Sequence, residues 1–414
     1  MHVAKARGSV FLKNGPSIAV FLVDQPTHVG TTLNIVAELA TSGCRVRVWT
    51  SLKYHAALKA MGVEVSDIYA GRTLDDYDNE SRPLPVRFVT LAGCLTDQMA
   101  QEVLAWGADV ILAEAFALIG RTIAKSLGLP WVLINAGHRK NDQGYRHENA
   151  LISPAIVGDR FNKALARIHS LPQMPSINPH SYFPDQSPFL NIYLQPQEWL
   201  TLELAGHTEP CVYFGSLNKD QMQPVRRTGP TDRLRIYTAF GTVIGRKWGA
   251  RTFEILQSIV RAASQIPNCH HTIALGGVDL PQRDRKVLED GDVRLVLHAP
   301  QMEELSKQHV FVTHHGMNST HEAVAARIPM LSIPFVHDQP ALARRCQAFG
   351  LAQTCFAEDS VLDTDLTEQG ILAGIKTILE QWDAMQDRFD TAQAWENDVI
   401  AQRSTVIKAV CALC

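Results

Sequence analysis

The chain has 414 residues, of which 46% are hydrophobic and 20% charged, so it can bury more than one core and fits two domains of about 200 residues each. A formal net charge of −3 argues against a nucleic-acid partner. No stretch approaches the ~18 uninterrupted apolar residues of a membrane span, and residues 1–16 lack the apolar core of a secretory signal. We therefore expect a cytoplasmic protein with no membrane span.

The amino-terminal half begins with one strand and one helix. Residues 17–23 form a short apolar run typical of a buried strand, residues 24–30 are predicted to turn, and apolar residues then recur at helical spacing to Ser42 and Gly43. This is the opening unit of a Rossmann-like domain. It places His28 in the loop beyond the carboxyl end of the first strand, where open α/β sheets hold their ligands.

The rest of the chain predicts two α/β blocks in series, each a doubly wound parallel sheet, which face each other across a cleft. Further strands of the first block are predicted near residues 45–50, 86–91, 109–113, 131–135, 189–194 and 211–214, and those of the second near 234–239, 271–275, 293–297, 309–313 and 330–333. The predicted parts are an amino-terminal domain at 1–217, a linker at 218–232, a carboxyl-terminal domain at 233–390 and a returning helix at 391–414.

A strand, a glycine turn and a helix follow one another in the second block. The apolar run 310–313 leads through two histidines and Gly316 into a helical pattern. The first N–H groups of such a helix lack intrahelical partners and lie at its positive end, so they are suited to a diphosphate. The alternative is that Ser319 and Glu322, at capping-box spacing, only satisfy the helix end.

The order of these residues resembles the donor motif of family-one nucleotide-sugar glycosyltransferases, which have the two-domain GT-B fold. The resemblance covers His298 to Gln301, Thr313 to Glu322, the Ile-Pro pairs at 328–329 and 333–334, and Asp338 with Gln339. It implies phosphate contacts by His314, Asn318 and Ser319, ribose contact by Glu322, and sugar contact by Asp338 and Gln339. The implied donor-binding set is Gly241, Thr242, His298, Gln301, His314, Gly316, Asn318, Ser319, Glu322, Asp338 and Gln339.

Three residues depart from the family motif. His298 stands where an aromatic residue, often tryptophan, stacks on the base. His315 replaces a small residue and is expected to crowd the phosphate loop, and Arg327 replaces a glycine and is expected to alter only the end of its helix.

The resemblance also implies a catalytic base. It matches His28 in Thr-His-Val-Gly to a histidine that removes the proton from the acceptor hydroxyl. A neutral imidazole suits this task, and a helix starting downstream should disfavour its protonated form. Glu114, at the end of the strand predicted at 109–113, is the expected partner of the other ring nitrogen, although relatives commonly carry aspartate there.

The segment 137–147 follows the fifth predicted strand and carries His138 and Arg139, which makes it a candidate acceptor-binding loop. A solvated loop is the alternative. Asp-x-Asp pairs, the usual mark of a metal-dependent transferase, occur at 76–78, 290–292 and 363–365, but away from the ligand ends of the predicted strands. The sequence thus predicts no metal and no cofactor beyond the nucleotide-sugar co-substrate.

The resulting prediction is an inverting, metal-independent glycosyltransferase that moves a sugar to a hydroxyl of a small molecule, such as a secondary metabolite. UDP is the preferred donor nucleotide and dTDP the second, because His298 to Gln301 resemble the uridine-binding form of the motif. Two alternatives stay open: a catalytically degenerate GT-B homologue that binds nucleotide or assists a partner protein, and a nucleotide-sugar epimerase. A homodimer is left open as well.

Overall fold

The computed structural model describes residues 15–414 apart from 140–153, 172–185, 248, 290, 357–359, 363 and 365. Two parallel sheets follow one another along the chain. The strands of the first are Ser17–Phe21 (β1), Arg45–Thr50 (β2), Glu64–Asp67 (β3), Val110–Glu114 (β4), Trp131–Asn135 (β5), Leu190–Tyr193 (β6) and Cys211–Tyr213 (β7). Those of the second are Leu234–Ala239 (β8), Cys269–Ala274 (β9), Val293–Val296 (β10), Val310–Thr313 (β11), Met330–Ser332 (β12) and Ala352–Thr354 (β13).

Helices connect the strands of both sheets. Those of the first domain are Pro26–Thr41 (α1), His55–Ala60 (α2), Leu74–Tyr77 (α3), Leu84–Trp106 (α4), Leu118–Leu127 (α5) and Pro154–His169 (α6). The second domain has Gly241–Lys247 (α7), Gly249–Ser264 (α8), Gln282–Leu288 (α9), Gln301–Lys307 (α10), Met317–Ala325 (α11), Gln339–Ala348 (α12) and Glu368–Glu380 (α13). Trp382–Ala401 (α14) and Arg403–Cys411 (α15) end the chain.

Strand order explains where ligands can bind. The first sheet has the order β3-β2-β1-β4-β5-β6-β7, and the second β10-β9-β8-β11-β12-β13. In each sheet all strands are parallel, but the order in which strands are added changes direction at one pair of neighbours, β1 with β4 and β8 with β11. A crevice opens at the carboxyl ends of such a pair, because the flanking connections leave in opposite directions. Each domain therefore has one pre-formed crevice, and the predicted arrangement of two α/β domains with parallel sheets is confirmed.

Two details of the predicted elements differ from the structure. The strand predicted at 86–91 is wrong, since these residues lie in α4. All of Val86 to Ala92 are buried, so the run resembles a strand, and the helical spacing appears only further on, at Leu95, Met99 and Val103. His28 does not lie in a loop but in the first turn of α1, which begins at Pro26 because proline is favoured at that position.

The carboxyl-terminal helices tie the two domains together. The predicted boundary between residues 390 and 391 lies within α14. Helix α15 then reaches the first domain, where Arg403 donates to the carbonyl oxygen of Gly215 from Nε at 3.0 Å and from Nη2 at 2.6 Å. It also donates to Asn218 Oδ1 at 3.1 Å. The predicted linker 218–232 lies between β7 and β8.

Replacing Arg403 with alanine should destabilise this docking. Its guanidinium is buried and its loss leaves carbonyl oxygens without donors, so we expect the free energy of unfolding to fall by about 2–3 kcal/mol. Chemical denaturation measures the change, and limited proteolysis should release the last helix earlier. Arg226→Ala is the control, since Arg226 pairs with Asp383 and Asp387 at the exposed surface; an equal loss from both variants would contradict the assignment.

Two further findings concern the cysteines and the possibility of a membrane span. All eight cysteines are free thiols. No helix in the described part of the chain is both long and apolar enough to cross a membrane.

Candidate active site

A histidine and a glutamate meet at the crevice of the first sheet. Strands β1 and β4 are neighbours, with Phe21 paired to Ala113, so the segments that leave their carboxyl ends lie side by side. Nδ1 of His28 lies 2.7 Å from Oε1 of the fully buried Glu114. Oε2 of that carboxylate accepts the backbone N–H of Phe116 at 3.0 Å. Because a carboxylate can only accept, Nδ1 carries the proton and Nε2 is left to accept one.

The pKa of His28 is raised above its ordinary value of 6.5. Burial alone would lower it, but the charge of Glu114, the hydrogen bond to Glu114 and the charge of Asp338 together outweigh that effect. The net effect favours the imidazolium, because the two carboxylates together outweigh burial.

An aromatic ring borders this histidine. The ring centroid of Phe116 lies 4.8 Å from that of His28, and Phe88 follows at 6.0 Å from Phe116. Neither residue was predicted from the sequence, although Phe116 comes only two positions after Glu114. A molecule that approaches His28 therefore meets an apolar ring beside the imidazole.

The crevice of the second sheet holds the start of α11. Gly316 is its N-cap residue, with no side chain capping the helix and no acidic residue in its first turn. The first intrahelical bond is from Thr320 N–H to Gly316 O, so the N–H groups of residues 317–319 have no intrahelical acceptor. The alternative that Ser319 and Glu322 form a capping box is wrong, since Ser319 is already the third residue of the helix. Asn318 is half-buried in the same turn.

His314 lies between two glycines at this helix start. A Cβ atom on Gly241 would come within 3.1 Å of His314 Nε2, and one on Gly316 within 2.6 Å. Gly241 also has φ +68°, a conformation that favours glycine. Burial lowers the pKa of His314 to about 4, despite the opposing charge of Asp338. The imidazole is thus neutral at physiological pH, and its N–H group can donate a hydrogen bond to an anion. Thr242 follows, exposed, at the start of α7.

Three predicted donor residues form a cluster between α10 and α11. Nε2 of Gln301, the first residue of α10, donates to Ser319 Oγ at 2.9 Å and to Glu322 Oε2 at 2.6 Å. Burial raises the pKa of Glu322 above 4.5, and the bond from Gln301 only partly opposes it. Glu322 is half-buried, so its carboxylate oxygens can still accept hydrogen bonds from a pair of hydroxyl groups.

The three departures from the motif have separate outcomes. His298 is exposed ahead of α10. His315 does not crowd the phosphate loop, because its side chain is fully buried with Nε2 2.7 Å from Ser332 Oγ. Arg327 takes the place of a glycine after α11, with φ +55°, and donates to Gln393 on α14.

Asp338 of the second domain forms a hydrogen bond to the first domain. Its Oδ2 accepts the backbone N–H of His138 at 2.8 Å. Gln339 uses its Oε1 to accept the N–H groups of Phe335 and Val336, at 2.9 and 3.1 Å, so the group it can offer a sugar is its amide NH2.

The two residues predicted to bind the acceptor are buried. The exposed fractions of His138 and Arg139 are 3% and 5%, so the solvated-loop alternative does not hold for them. His138 Nδ1 lies 2.9 Å from Gln195 Oε1, and Arg139 Nη2 lies 3.1 Å from His207 Nε2. Residues 140–147 of that candidate loop lie outside the described residues.

The Asp-x-Asp pairs are not part of this cleft where they are described. Asp76 accepts the backbone N–H of Thr73, and Asp78 is buried and accepts from Thr90 Oγ1 at 2.7 Å. Asp290, Asp363 and Asp365 lie outside the described residues. Among the residues that are described, no group of three or more His, Cys, Asp or Glu side chains could hold a metal ion.

The chain is similar in sequence to known glycosyltransferases. Residues 281–385 match the family described as UDP-glucoronosyl and UDP-glucosyl transferase. The NDP-glycosyltransferase YjiC of Bacillus subtilis (strain 168) is 22% identical over 330 residues, which are 78% of this chain and 80% of that protein. The zeaxanthin glucosyltransferase of Pseudescherichia vulneris is 22% identical over 335 residues, 76% and 77% of the two chains.

Among solved structures, the kitacinnamycin glycosyltransferase superposes with a TM-score of 0.74 over 96% of this chain and 100% of its own, at 17% identity. At that identity the likeness shows the fold. Together with the sequence matches, it confirms the resemblance predicted from the motif residues.

Proposed function

We propose that this chain, a glycosyltransferase of the GT-B fold, transfers the sugar of a nucleotide-sugar donor, with inversion and without a metal ion, to a hydroxyl of a small molecule. The observation that carries the proposal is the position of Asp338. It contacts His138 of the first domain and its charge acts on His28, so a donor held by α11 and Asp338 lies opposite the base.

The reaction begins with a proton transfer. Nε2 of His28 removes the proton of the acceptor hydroxyl as its oxygen forms a bond to the anomeric carbon. Glu114 keeps Nδ1 protonated and stabilises the imidazolium that forms. The bond from the anomeric carbon to the diphosphate oxygen breaks on the opposite face, and the electron pair leaves with the diphosphate. Attack opposite the leaving group inverts the anomeric centre.

The leaving diphosphate gains charge as this bond breaks. In the proposal, the free N–H groups of residues 317–319 and the neutral His314 donate to it, with Gly241 letting the backbone approach. These donors are fixed before the reaction and take the place that a divalent cation has in metal-dependent transferases. Glu322 accepts the ribose hydroxyls, and Asp338 and Gln339 hold hydroxyls of the sugar.

Two of the three residues that suggested a catalytically degenerate homologue no longer support that alternative. Glu114 reaches His28 despite its extra methylene, and His315 is turned into the interior. His298 remains, exposed where a base would stack. For an epimerase, no additional acid and base pair around the sugar can be assigned among the described residues of this cleft. A UDP donor over dTDP, a secondary-metabolite acceptor, a cytoplasmic location and a homodimer stay predictions from the sequence.

Calorimetric titration with UDP and dTDP, in the presence of a chelator, tests the donor site. We expect saturable binding of both, tighter for UDP, and a loss of about 10- to 100-fold in affinity for Glu322→Ala, because a charged acceptor of the ribose hydroxyls is removed. Glu380→Ala, on the exposed surface of α13, is the matched control. Binding that requires a divalent cation, or that Glu322→Ala leaves unchanged, would overturn the assignment.

A further inference from the structure

Beyond the direct contact of Asp338, a second connection joins the two domains close to it. Glu203 of the first domain pairs with Arg345 of the second, with Oε2 accepting from Nη2 at 2.7 Å. The other carboxylate oxygen of Glu203 lies 3.4 Å from Nε2 of His138, the residue whose backbone holds Asp338. We call His138, Glu203 and Arg345 the interdomain clasp.

The clasp is a buried, fixed arrangement. The side chain of His138 is fully buried, and those of Glu203 and Arg345 are only 11% and 10% exposed. Burial would raise the pKa of Glu203, but hydrogen bonds and charge from His138 and the bond from Arg345 outweigh it and lower that pKa to about 2. Glu203 is therefore ionised at any physiological pH, and the attraction to Arg345 acts in low dielectric.

Both anchors on the second domain belong to one helix. Asp338 is the N-cap residue of α12, and Arg345 lies two turns later in the same helix. A helix held at two points cannot rotate or slide without breaking one of them. Next to Arg345, Phe349 packs edge-on against Trp199 of the first domain at 5.3 Å between ring centroids. The clasp thus fixes the orientation of α12 against the first domain.

Asp338 in turn faces the catalytic base. Glu114, whose Oε1 lies 2.7 Å from Nδ1 of His28, and Asp338, which accepts the backbone N–H of His138, both raise the pKa of His28 through their charges. The position of Glu114 is set by the sheet of the first domain, whereas the position of Asp338 depends on how α12 packs against that domain. The distance between base and sugar-binding carboxylate is therefore a property of the domain interface.

We propose that Glu203 and Arg345 are positioning residues that hold Asp338 opposite His28, so that the bound sugar and the acceptor hydroxyl are aligned by the same interdomain contact. This inference rests on the proposed sugar transfer at this cleft. The nucleotide part of the donor lies on α11 and Glu322, outside the clasp. A loosened clasp should therefore affect the sugar and the base while leaving the nucleotide bound.

Arg345→Gln and Glu203→Gln test the clasp. We expect UDP to bind as in the wild type, whereas kcat/KM for UDP-glucose falls about 10- to 100-fold because alignment is lost. The pKa of His28, followed by NMR of its imidazole, should fall, since a more distant Asp338 stabilises the imidazolium less. Arg261→Gln is the control, because Arg261 pairs with Glu368 on the exposed surface of the second domain alone.

Gly137→Ala perturbs the same contact without touching the ion pair. A Cβ atom there would lie 3.2 Å from Asp338 Oδ2, so the carboxylate must move by a few tenths of an ångström. The same separation between UDP binding and UDP-glucose use is expected. An unchanged His28 pKa and unchanged UDP-glucose affinity in all three folded variants, or an equal loss of UDP affinity, would overturn the positioning role.

The binding of UDP, the binding of UDP-glucose and the pKa of His28 can all be measured without an acceptor. If the wild type transfers no sugar, the proposed function fails. Even so, a lower His28 pKa and weaker UDP-glucose binding in the variants would support the clasp.

Discussion

Replacing His28 with alanine is expected to lower the rate of sugar transfer by about 10²- to 10⁴-fold, the range that a positioned general base contributes. Glu114 orients this imidazole, which lies beside the apolar face of Phe116 where an acceptor would approach. Alanine cannot accept the proton, and water would have to do so without the carboxylate behind it. The loss should appear in kcat.

UDP binding should survive this change, because the residues proposed to bind the donor lie in the other domain. Steady-state kinetics with an identified acceptor, together with calorimetry of UDP, measures both effects. His169→Ala is the control, since His169 is exposed at the end of α6. An unchanged rate would remove His28 as the base, and a loss of UDP binding would show that the variant damages the donor site.

Glu114→Gln is expected to lower the maximal rate by about 10- to 10³-fold. The backbone N–H of Phe116 needs an oxygen acceptor, so the amide introduced at position 114 must turn its NH2 toward His28. Nδ1 then accepts rather than donates, and the ring proton moves to Nε2. That tautomer cannot take a proton from the acceptor hydroxyl, although every heavy atom keeps its place.

The same variant should change the pH dependence in a defined direction. In the wild type, Glu114 and Asp338 raise the pKa of His28 above 6.5 in spite of burial, and kcat/KM increases as pH rises through that raised value and the base loses its proton. Without the charge of Glu114, burial is opposed only by Asp338. The acidic limb of the profile should therefore move to lower pH.

Glu102→Gln, an exposed change on α4 in the same domain, should leave both the rate and the profile unaltered. A full rate for Glu114→Gln, or an acidic limb that moves to higher pH, would show that Glu114 does not orient the base.

How far the sequence predicts this protein differs between its parts. Strands β1, β8 and β11 and the start of α11 are local patterns of apolar residues, glycine and helix signals, and they lie where they were predicted. The prediction of a strand at 86–91 was wrong because the first turns of α4 are buried on all sides. Their sequence therefore lacks the periodicity that distinguishes a helix from a buried strand. β3 and β13 were missed, since strands of three or four residues, most of them half-buried, carry too weak a pattern.

The GT-B architecture, the candidate site residues and the pairing of His28 with Glu114 could be predicted from the sequence, because the motif residues lie in strand, turn and helix segments that are each continuous in the chain and resemble a known family in order and spacing. The contacts between the two domains could not be predicted in this way: His138 and Asp338 are 200 residues apart, and Glu203 and Arg345 are 142 apart. Such contacts depend on strand order and on the docking of one domain against the other, which no local pattern encodes. For the same reason His315, adjacent in the chain to the histidine predicted to bind phosphate, is a core residue.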